Sequence, residues 1–199
     1  MTRRVKTLSA IAGLAIATAL ILAALARSPR TGPTAEQVQQ AADKLAHDEG
    51  APIAAGEPAA SFKLTDLAGR TVSLASLRGK VIFLNIWATW CAPCREEMPS
   101  MEKLYERLRG NHGFVMLAVS QDTGGRQLVA DYVKKHGYQF DVLLDPQNAV
   151  ADAYRISGVP ETFIIDRQGR IVAHHSGAFD WSQPEIRTAI EELLAQGKG

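Results

Sequence analysis

The chain has 199 residues, of which 46% are hydrophobic and 22% charged, and its formal net charge is +1. This composition excludes a wholly disordered, a collagenous or a multi-span membrane protein. Residues 1–30 carry five basic residues and no acid, which leaves 17 basic against 21 acidic residues in the remainder. The remainder has no basic run, so we expect no nucleic-acid partner.

Residues 1–27 have the pattern of an export signal. Leu8 to Ala26 contains no charge over 19 residues, and at about 1.5 Å per residue it is close to the length that crosses the hydrocarbon core of a membrane. Three basic residues precede it and favour a cytoplasmic N-terminus. The length favours an uncleaved signal anchor, and a signal peptide cleaved after Ala26 is the alternative. Both predict export. The anchor predicts a single pass through the cytoplasmic (inner) membrane, with the rest on the periplasmic side.

Residues 28–57 have the composition of a linker. Prolines and glycines interrupt this segment repeatedly, as is typical of irregular structure. Between them, Thr34-Ala-Glu-Gln37 matches a capping box and predicts a short helix through about His47. We expect this segment to hold the following domain away from the membrane.

Residues 58–199 are predicted to form one α/β domain, because strand patterns alternate with helix patterns. Val81–Ala88 and Phe114–Val119 are almost unbroken apolar runs, which is typical of strands buried on both faces of a parallel sheet. Ser182-Gln-Pro-Glu185 matches a second capping box and is expected to open the final helix. The other predicted elements are two short strands around 66–69, helix 95–109, helix 126–136, strand 140–144, helix 148–154 and strands 162–165 and 171–174.

The two cysteines of the chain, Cys91 and Cys94, form a C-x-x-C where the first buried strand meets the following helix. A helix N-terminus presents unpaired N–H groups and a positive dipole end, which stabilise a thiolate on Cys91. Pro93 suits a first helical turn, because the missing N–H would have no partner there. The predicted chemistry is attack by Cys91 on a partner's disulfide, followed by release of the partner when Cys94 attacks the mixed disulfide.

Two other uses of the cysteine pair remain open at this point. A structural disulfide would close so short a loop that it constrains the unfolded chain little. A metal site, such as one for copper delivery, would need further ligands. The adjacent His174 and His175 are expected to be strand residues on opposite faces rather than a ligand pair, and we expect no metal and no cofactor.

The segment Trp87-Ala-Thr-Trp-Cys-Ala-Pro-Cys-Arg-Glu-Glu-Met-Pro99 resembles the active-site segment of thioredoxin-like proteins, and within them the membrane-tethered TlpA/ResA/CcmG group. The resemblance includes Leu77-Arg-Gly-Lys80 and Gly158–Asp166, and it extends over about residues 58–195. It implies a thioredoxin-like three-layer α/β/α sandwich with a mixed central sheet and an N-terminal β-hairpin. It also implies that residues 126–154 are a helix–strand insert before a cis-proline.

The resemblance also assigns roles to single residues. Val159-Pro160 matches the cis-proline that faces the dithiol and offers its backbone to a substrate. Glu97 matches a glutamate close to the dithiol, where a carboxylate would raise the thiol pKa; a solvated helix residue is the alternative. Glu161 is expected to line the groove and Trp90 to shield the sulfurs.

The leading functional hypothesis is an exported thiol–disulfide oxidoreductase that reduces protein disulfides. Exported compartments are oxidising, so a reductant there needs electrons from across the membrane. The resemblance implies a CcdA/DsbD-type membrane thiol transporter as donor, and cysteines of apocytochrome c or of an oxidase copper site as acceptors. The alternatives are a copper or haem chaperone that uses the two sulfurs, and a peroxidase of the redoxin superfamily. A peroxidase would need a Pro-x-x-x-Thr/Ser-x-x-Cys segment, which this sequence lacks. The sequence assigns no functional role to Asn85 or Asp122.

Overall fold

A computed structural model of the protein describes residues 55–196. The predicted leader and the predicted linker helix lie outside the described residues, so the limits of those segments stay predictions. Within residues 55–196, none of the helices is both long enough and apolar enough to cross a bilayer.

A seven-stranded sheet forms the centre of the fold, in the order β2-β1-β5-β4-β3-β6-β7. The strands are β1 Lys63–Asp66, β2 Thr71–Ser73, β3 Val81–Trp87, β4 Phe114–Ser120, β5 Asp141–Leu144, β6 Glu161–Ile165 and β7 Ile171–Ser176. The helices are α1 Ala92–Leu108, α2 Arg126–His136, α3 Ala149–Tyr154 and α4 Pro184–Ala195, with a 3₁₀ turn at Leu74–Leu77.

The sheet is mixed, as predicted. β3, β4 and β5 are parallel neighbours, whereas β6 pairs antiparallel with β3 and β7 antiparallel with β6. The N-terminal hairpin of β1 and β2 is also confirmed, and β1 joins the sheet antiparallel to β5. The helix–strand insert formed by α2, β5 and α3 lies between β4 and the cis-proline, as the resemblance implies.

Two apolar cores lie on the two faces of the sheet. Along β3 the side chains alternate: Phe83 and Trp87 join one core with residues of α1, α2 and α4, whereas Leu84 joins a second core with residues of α3. Alternation is the rule for a strand, and a strand with helices on both sides has to be apolar throughout. The layers are therefore those of the predicted sandwich.

Two helix starts differ from the prediction. Helix α1 begins at Ala92 rather than at Arg95, with Cys91 as its N-cap, which confirms the predicted place of Cys91 at the helix N-terminus. The Cys91 sulfur accepts the Cys94 N–H and so satisfies a first-turn donor. The predicted capping box at the start of α4 is wrong. The N-cap is Gln183 without a side-chain bond, and the Ser182 hydroxyl donates to Asp180 instead.

The pairing of β3 with β6 places the site. Because the two strands are antiparallel, the first residue of β6 lies beside the end of β3: Glu161 is the partner of Ile86. The residues before β6 therefore meet the residues after β3. This brings Val159 and Pro160 to the C-x-x-C although almost 70 residues separate them in sequence.

Candidate active site

Cys91 and Cys94 form a disulfide at the N-terminus of α1, with an S–S distance of 2.06 Å. The Cys91 Sγ accepts a hydrogen bond from the Cys94 backbone N–H at 3.1 Å. The same N–H, together with the positive end of the helix dipole, is placed to stabilise a thiolate on Cys91 after reduction. No group of three or more His, Cys, Asp or Glu side chains within residues 55–196 is arranged to hold a metal ion.

The Val159–Pro160 peptide bond is cis, as predicted. The Cys91 Sγ lies 3.5 Å from the Val159 carbonyl oxygen, so the loop before β6 is in contact with the disulfide. Behind the loop, the Gly177 N–H donates to the Pro160 carbonyl at 2.9 Å and ties it to the end of β7. The cis-proline loop is thus held between the dithiol and the neighbouring strand.

Trp90 presents its side chain to solvent directly before the disulfide, with 65% of its surface exposed, while Cys91 is 3% and Cys94 0% exposed. An exposed indole of this size beside a redox-active group gives a partner protein a large apolar contact. Whether Trp90 shields the sulfurs stays a prediction.

Glu97 lies one turn after Cys94 on α1 and is only 2% exposed. Its carboxylate accepts three hydrogen bonds from distant parts of the chain. Asn85 Nδ2 donates to Oε1 at 2.8 Å, while Trp181 Nε1 and the Phe179 backbone N–H donate to Oε2 at 3.0 and 3.3 Å. Glu97 is therefore an interior group of the site and not a solvated helix residue.

The environment of Glu97 raises its pKa from 4.5 to about 7. Burial is the largest cause, because it disfavours the charged form. The hydrogen bonds from Trp181, Asn85 and Phe179 lower the pKa and offset part of this effect, and the negative charge of Glu161 adds a small rise. A carboxyl with this pKa changes its charge near neutral pH.

Asn85 is a site residue to which the sequence analysis gave no role. Its Nδ2 joins Glu97 to the Thr162 hydroxyl, 2.9 Å away on β6. One signal was available: Asn85 is the single polar residue in the apolar run of β3, on the same side as Phe83 and Trp87. A fully buried amide needs partners, so its presence indicates a polar group on the helix that covers that side.

The predicted place of Glu161 in the groove is not what the structure shows. Its side chain is 8% exposed and is hydrogen-bonded to His174 Nε2 and to the Ser176 hydroxyl, the latter at 2.8 Å. The reason is strand alternation: Thr162 faces Asn85 and α1, so its neighbour Glu161 points to the opposite face of the sheet. The groove receives the backbone of this segment and not the Glu161 carboxylate.

The two histidines of β7 lie on opposite faces, as predicted. His174 is buried with its ring stacked on Phe163, whereas the ring of His175 lies against Phe179 and Trp181 on the side of Glu97. His174 therefore belongs to the Glu161 cluster, and His175 packs beside the Glu97 cluster.

Asp122, the other unassigned residue, anchors the loop that carries Trp90. Its carboxylate accepts the Thr89 N–H at 2.9 Å and the Thr89 hydroxyl at 2.6 Å, and it also accepts the Ser120 hydroxyl at 2.8 Å. These bonds join the loop after β3 to the end of β4. No pattern in the sequence indicated this pairing.

Comparison with known proteins finds one matching family and a set of similar thiol-disulfide oxidoreductases. The model of the AhpC/TSA family matches residues 55–174. A thiol-disulfide oxidoreductase ResA of Halalkalibacterium halodurans is 41% identical over 123 residues, which cover 62% of this chain and 69% of that protein. A ResA of Geobacillus thermodenitrificans is 40% identical over 142 residues, which cover 71% of this chain and 79% of that protein.

Solved structures show the same fold. A crystal structure from Chlorobium tepidum, named for a thiol:disulfide interchange protein DsbE, superposes with a TM-score of 0.61 at 28% identity. The match covers 74% of this chain and 99% of the other chain. The residues that match the family model, 55–174, contain the disulfide, the cis-proline and Glu97.

The buried carboxyl predicts how stability depends on pH. The folded-state pKa of Glu97, about 7, exceeds its ordinary value of 4.5, so its stabilising effect is full below pH 4.5 and is lost as the pH rises through about 7. The loss corresponds to about 3 kcal/mol at most. Glu97→Gln should remove this part of the pH dependence in urea unfolding of the oxidised protein between pH 4 and 8. Glu96→Gln, at an exposed neighbour on α1, should behave like wild type. Parallel pH curves for wild type and Glu97→Gln would contradict the raised pKa.

Proposed function

Because the chain belongs to the AhpC/TSA family and is a thiol–disulfide oxidoreductase of the ResA type, we propose that it reduces disulfides of exported proteins through Cys91 and Cys94. The observation that carries this proposal is the position of the Cys91 sulfur. It caps α1, accepts the Cys94 N–H and lies 3.5 Å from the Val159 carbonyl of the cis-proline loop. The attacking atom, the group that stabilises its charge and a backbone for the partner therefore meet at one point.

The reaction begins from the dithiol form. The Cys91 thiolate attacks one sulfur of the partner's disulfide, so that a Cys91–partner S–S bond forms while the partner's own S–S bond breaks. The displaced partner sulfur leaves as a thiolate and takes up a proton. The partner is now held covalently on α1.

Cys94 then completes the exchange. Its thiolate attacks the Cys91 Sγ, the Cys91–Cys94 disulfide forms, and the second partner sulfur leaves as a thiolate that is protonated. The partner gains two electrons and two protons in total, and the dithiol loses them. Cys94 is fully buried behind Cys91, which fits attack on Cys91 and not on an outside disulfide.

Two surface features support a protein as the partner. The cis-proline loop places the Val159 carbonyl beside the sulfur, where an extended segment of the partner would align its backbone. Trp90 adds an exposed apolar surface directly before Cys91. A polypeptide with an exposed disulfide has both a backbone and side chains to meet these features.

The remaining parts of the proposal come from the N-terminal sequence and from the resemblance to the TlpA/ResA/CcmG group. Electrons reach the dithiol from a CcdA/DsbD-type membrane thiol transporter, since an oxidising compartment offers no pool of reductant. The acceptors are cysteines of apocytochrome c or of an oxidase copper site. The uncharged stretch Leu8–Ala26 anchors the protein in the cytoplasmic membrane, with the catalytic domain on the outer side.

Substitution of each cysteine tests the division of labour between the two sulfurs. Cys91→Ser should abolish reduction of a protein disulfide such as that of insulin, because the attacking sulfur is missing. Cys94→Ser should accumulate mixed disulfides with its partners, because attack proceeds and resolution does not. Non-reducing electrophoresis with mass spectrometry detects and identifies the trapped partner. Mixed disulfides on Cys91→Ser and none on Cys94→Ser would reverse the assignment.

Glu97→Gln tests the electrostatic role of the buried carboxyl. Cys94 and Glu97 are three residues apart on α1, hence neighbours on its surface. An ionised Glu97 repels a thiolate, so the glutamine variant should form thiolate at lower pH and have a more oxidising disulfide. Since the Glu97 pKa is about 7, the difference should grow above neutral pH, where the dithiol and carboxyl titrate as a coupled set. The rate of thiol alkylation, measured against pH for both proteins, reports thiolate formation. Superimposable curves for wild type and Glu97→Gln would contradict an electrostatic role of Glu97.

Membrane extraction tests the anchor. The full chain should stay with the membrane after alkaline carbonate treatment and be digested by protease added to intact spheroplasts. A chain that begins at residue 28 behind a cleavable signal should instead be released as a soluble periplasmic protein. Recovery of the wild-type protein in the periplasm, with its N-terminus at Arg27, would show a cleaved leader.

A further inference from the structure

Trp181 lies in the segment 177–183 between β7 and α4 and is fully buried. Its ring meets Phe83 of β3 edge to face, with centroids 4.9 Å apart and an interplanar angle of 86°. The indole Nε1 lies 3.0 Å from Oε2 of Glu97. Packing therefore fixes the ring in the core and leaves its one polar atom directed at the carboxyl beneath the dithiol.

We propose that Trp181 is a positioning residue of the dithiol site, whose indole N–H holds the ionised Glu97 carboxylate and so sets how readily that carboxyl takes up a proton. The importance of this control for catalysis rests on the function proposed above. An N–H group forms a stronger hydrogen bond with a carboxylate than with a neutral carboxylic acid, because the carboxylate is charged. Loss of the donor therefore favours the protonated form of Glu97.

The backbone of Trp181 is tied to the same turn of α1 as its side chain. The Trp181 N–H donates to Ser100 Oγ at 2.9 Å, and this hydroxyl lies 2.7 Å from the Glu97 carbonyl oxygen and 3.2 Å from the Phe179 carbonyl oxygen. Ser100 and Glu97 are neighbours on one side of the helix. The backbone and the indole of Trp181 thus bind neighbouring residues of α1, and these two contacts position Nε1 next to Oε2 of Glu97.

Other charged or titratable groups surround the carboxyl. A cleft of about 350 Å³ between α1 and the segment 177–183 is lined by Glu97 and by three charged residues, Glu96, Lys103 and Asp180. Glu161 acts on Glu97 through its charge from the opposite face of β6, and His175 of β7 packs on Trp181. Cys94 lies on α1 with Glu97, and Cys91 is the N-cap of that helix. Asn85, Phe179 and Trp181 donate hydrogen bonds to the carboxylate, so these three residues act on its proton directly.

The chain offers a matched pair of substitutions. Trp181→Phe removes the donor and keeps an aromatic ring in the core. Trp87→Phe makes the same change at another fully buried tryptophan of that core, whose Nε1 has no hydrogen-bond partner. The two variants share the loss of ring volume but differ in the loss of a bond to Glu97.

The measurement is the titration of the Glu97 carboxyl in the oxidised protein, followed by carbon-13 NMR and assigned by its absence from Glu97→Gln. In Trp181→Phe, the Glu97 carboxyl should bind its proton about tenfold more tightly, which moves the midpoint of its titration up by about one pH unit. Trp87→Phe should keep the wild-type midpoint. If the role of Trp181 were structural alone, Trp181→Phe would lower the unfolding midpoint in urea and leave the Glu97 titration unchanged. An unmoved midpoint in folded Trp181→Phe would overturn the proposal.

A second measurement needs no substitution of Trp181. In the wild-type protein the indole N–H resonance of Trp181 should shift with the midpoint of Glu97, whereas that of Trp87 should not follow it. A Trp181 resonance that stays constant while Glu97 titrates would overturn the proposal even if Trp181→Phe fails to fold. If Trp181→Phe moves the Glu97 midpoint and Glu97→Gln leaves the thiol titration unchanged, Trp181 still controls Glu97. That result would contradict only the role of Glu97 in the proposed reduction, and not the proposal for Trp181.

Discussion

The burial of one carboxyl under the dithiol helix constrains much of this structure. An ionised carboxylate in an apolar core is costly unless donors replace the water it has lost. Glu97 obtains these donors from Asn85 of β3 and from Phe179 and Trp181 of the segment before α4. The central strand, the active-site helix and the segment after β7 must therefore keep a common geometry. Packing alone would tolerate small shifts that three hydrogen bonds to one carboxylate do not.

In the proposed function, the same carboxyl opposes the effect of the helix N-terminus on Cys91. The N-terminus of α1 offers the Cys94 N–H and the helix dipole to a Cys91 thiolate, and both favour its formation. We propose that a negative charge on Glu97, one turn beyond Cys94, disfavours it. Because the pKa of Glu97 is about 7, the balance between the two effects changes around neutral pH. In the proposed reaction, this makes the reactivity of the dithiol depend on the protonation of a buried group.

β6 separates two polar clusters and carries the cis-proline loop at its start. On the side of α1, Thr162 joins Asn85 and Glu97; on the other side, Glu161 joins His174 and Ser176. Both clusters fasten the first residues of β6 to their neighbours. The loop that contacts the Cys91 sulfur is thus supported from both faces of the sheet, which suits a backbone that has to receive an extended partner without rearranging.

Elements with local signals could be predicted from the amino-acid sequence. Unbroken apolar runs predicted the buried strands, and a C-x-x-C at a strand–helix junction predicted a thiol at a helix N-terminus. The resemblance carried by residues 87–99 and 158–166 added the cis-proline and Glu97. The hydrogen-bond partners of these groups, in contrast, follow from the folded chain. Glu97 meets donors 12 and 84 residues away, and Asn85 meets Thr162 across 77 residues. Such pairs depend on strand register and on which face of a strand a side chain occupies, and a register that differs by one residue exchanges the faces. For that reason Glu161 was expected in the groove and lies behind it, and Trp181 gave no sign in the sequence of its bond to Glu97.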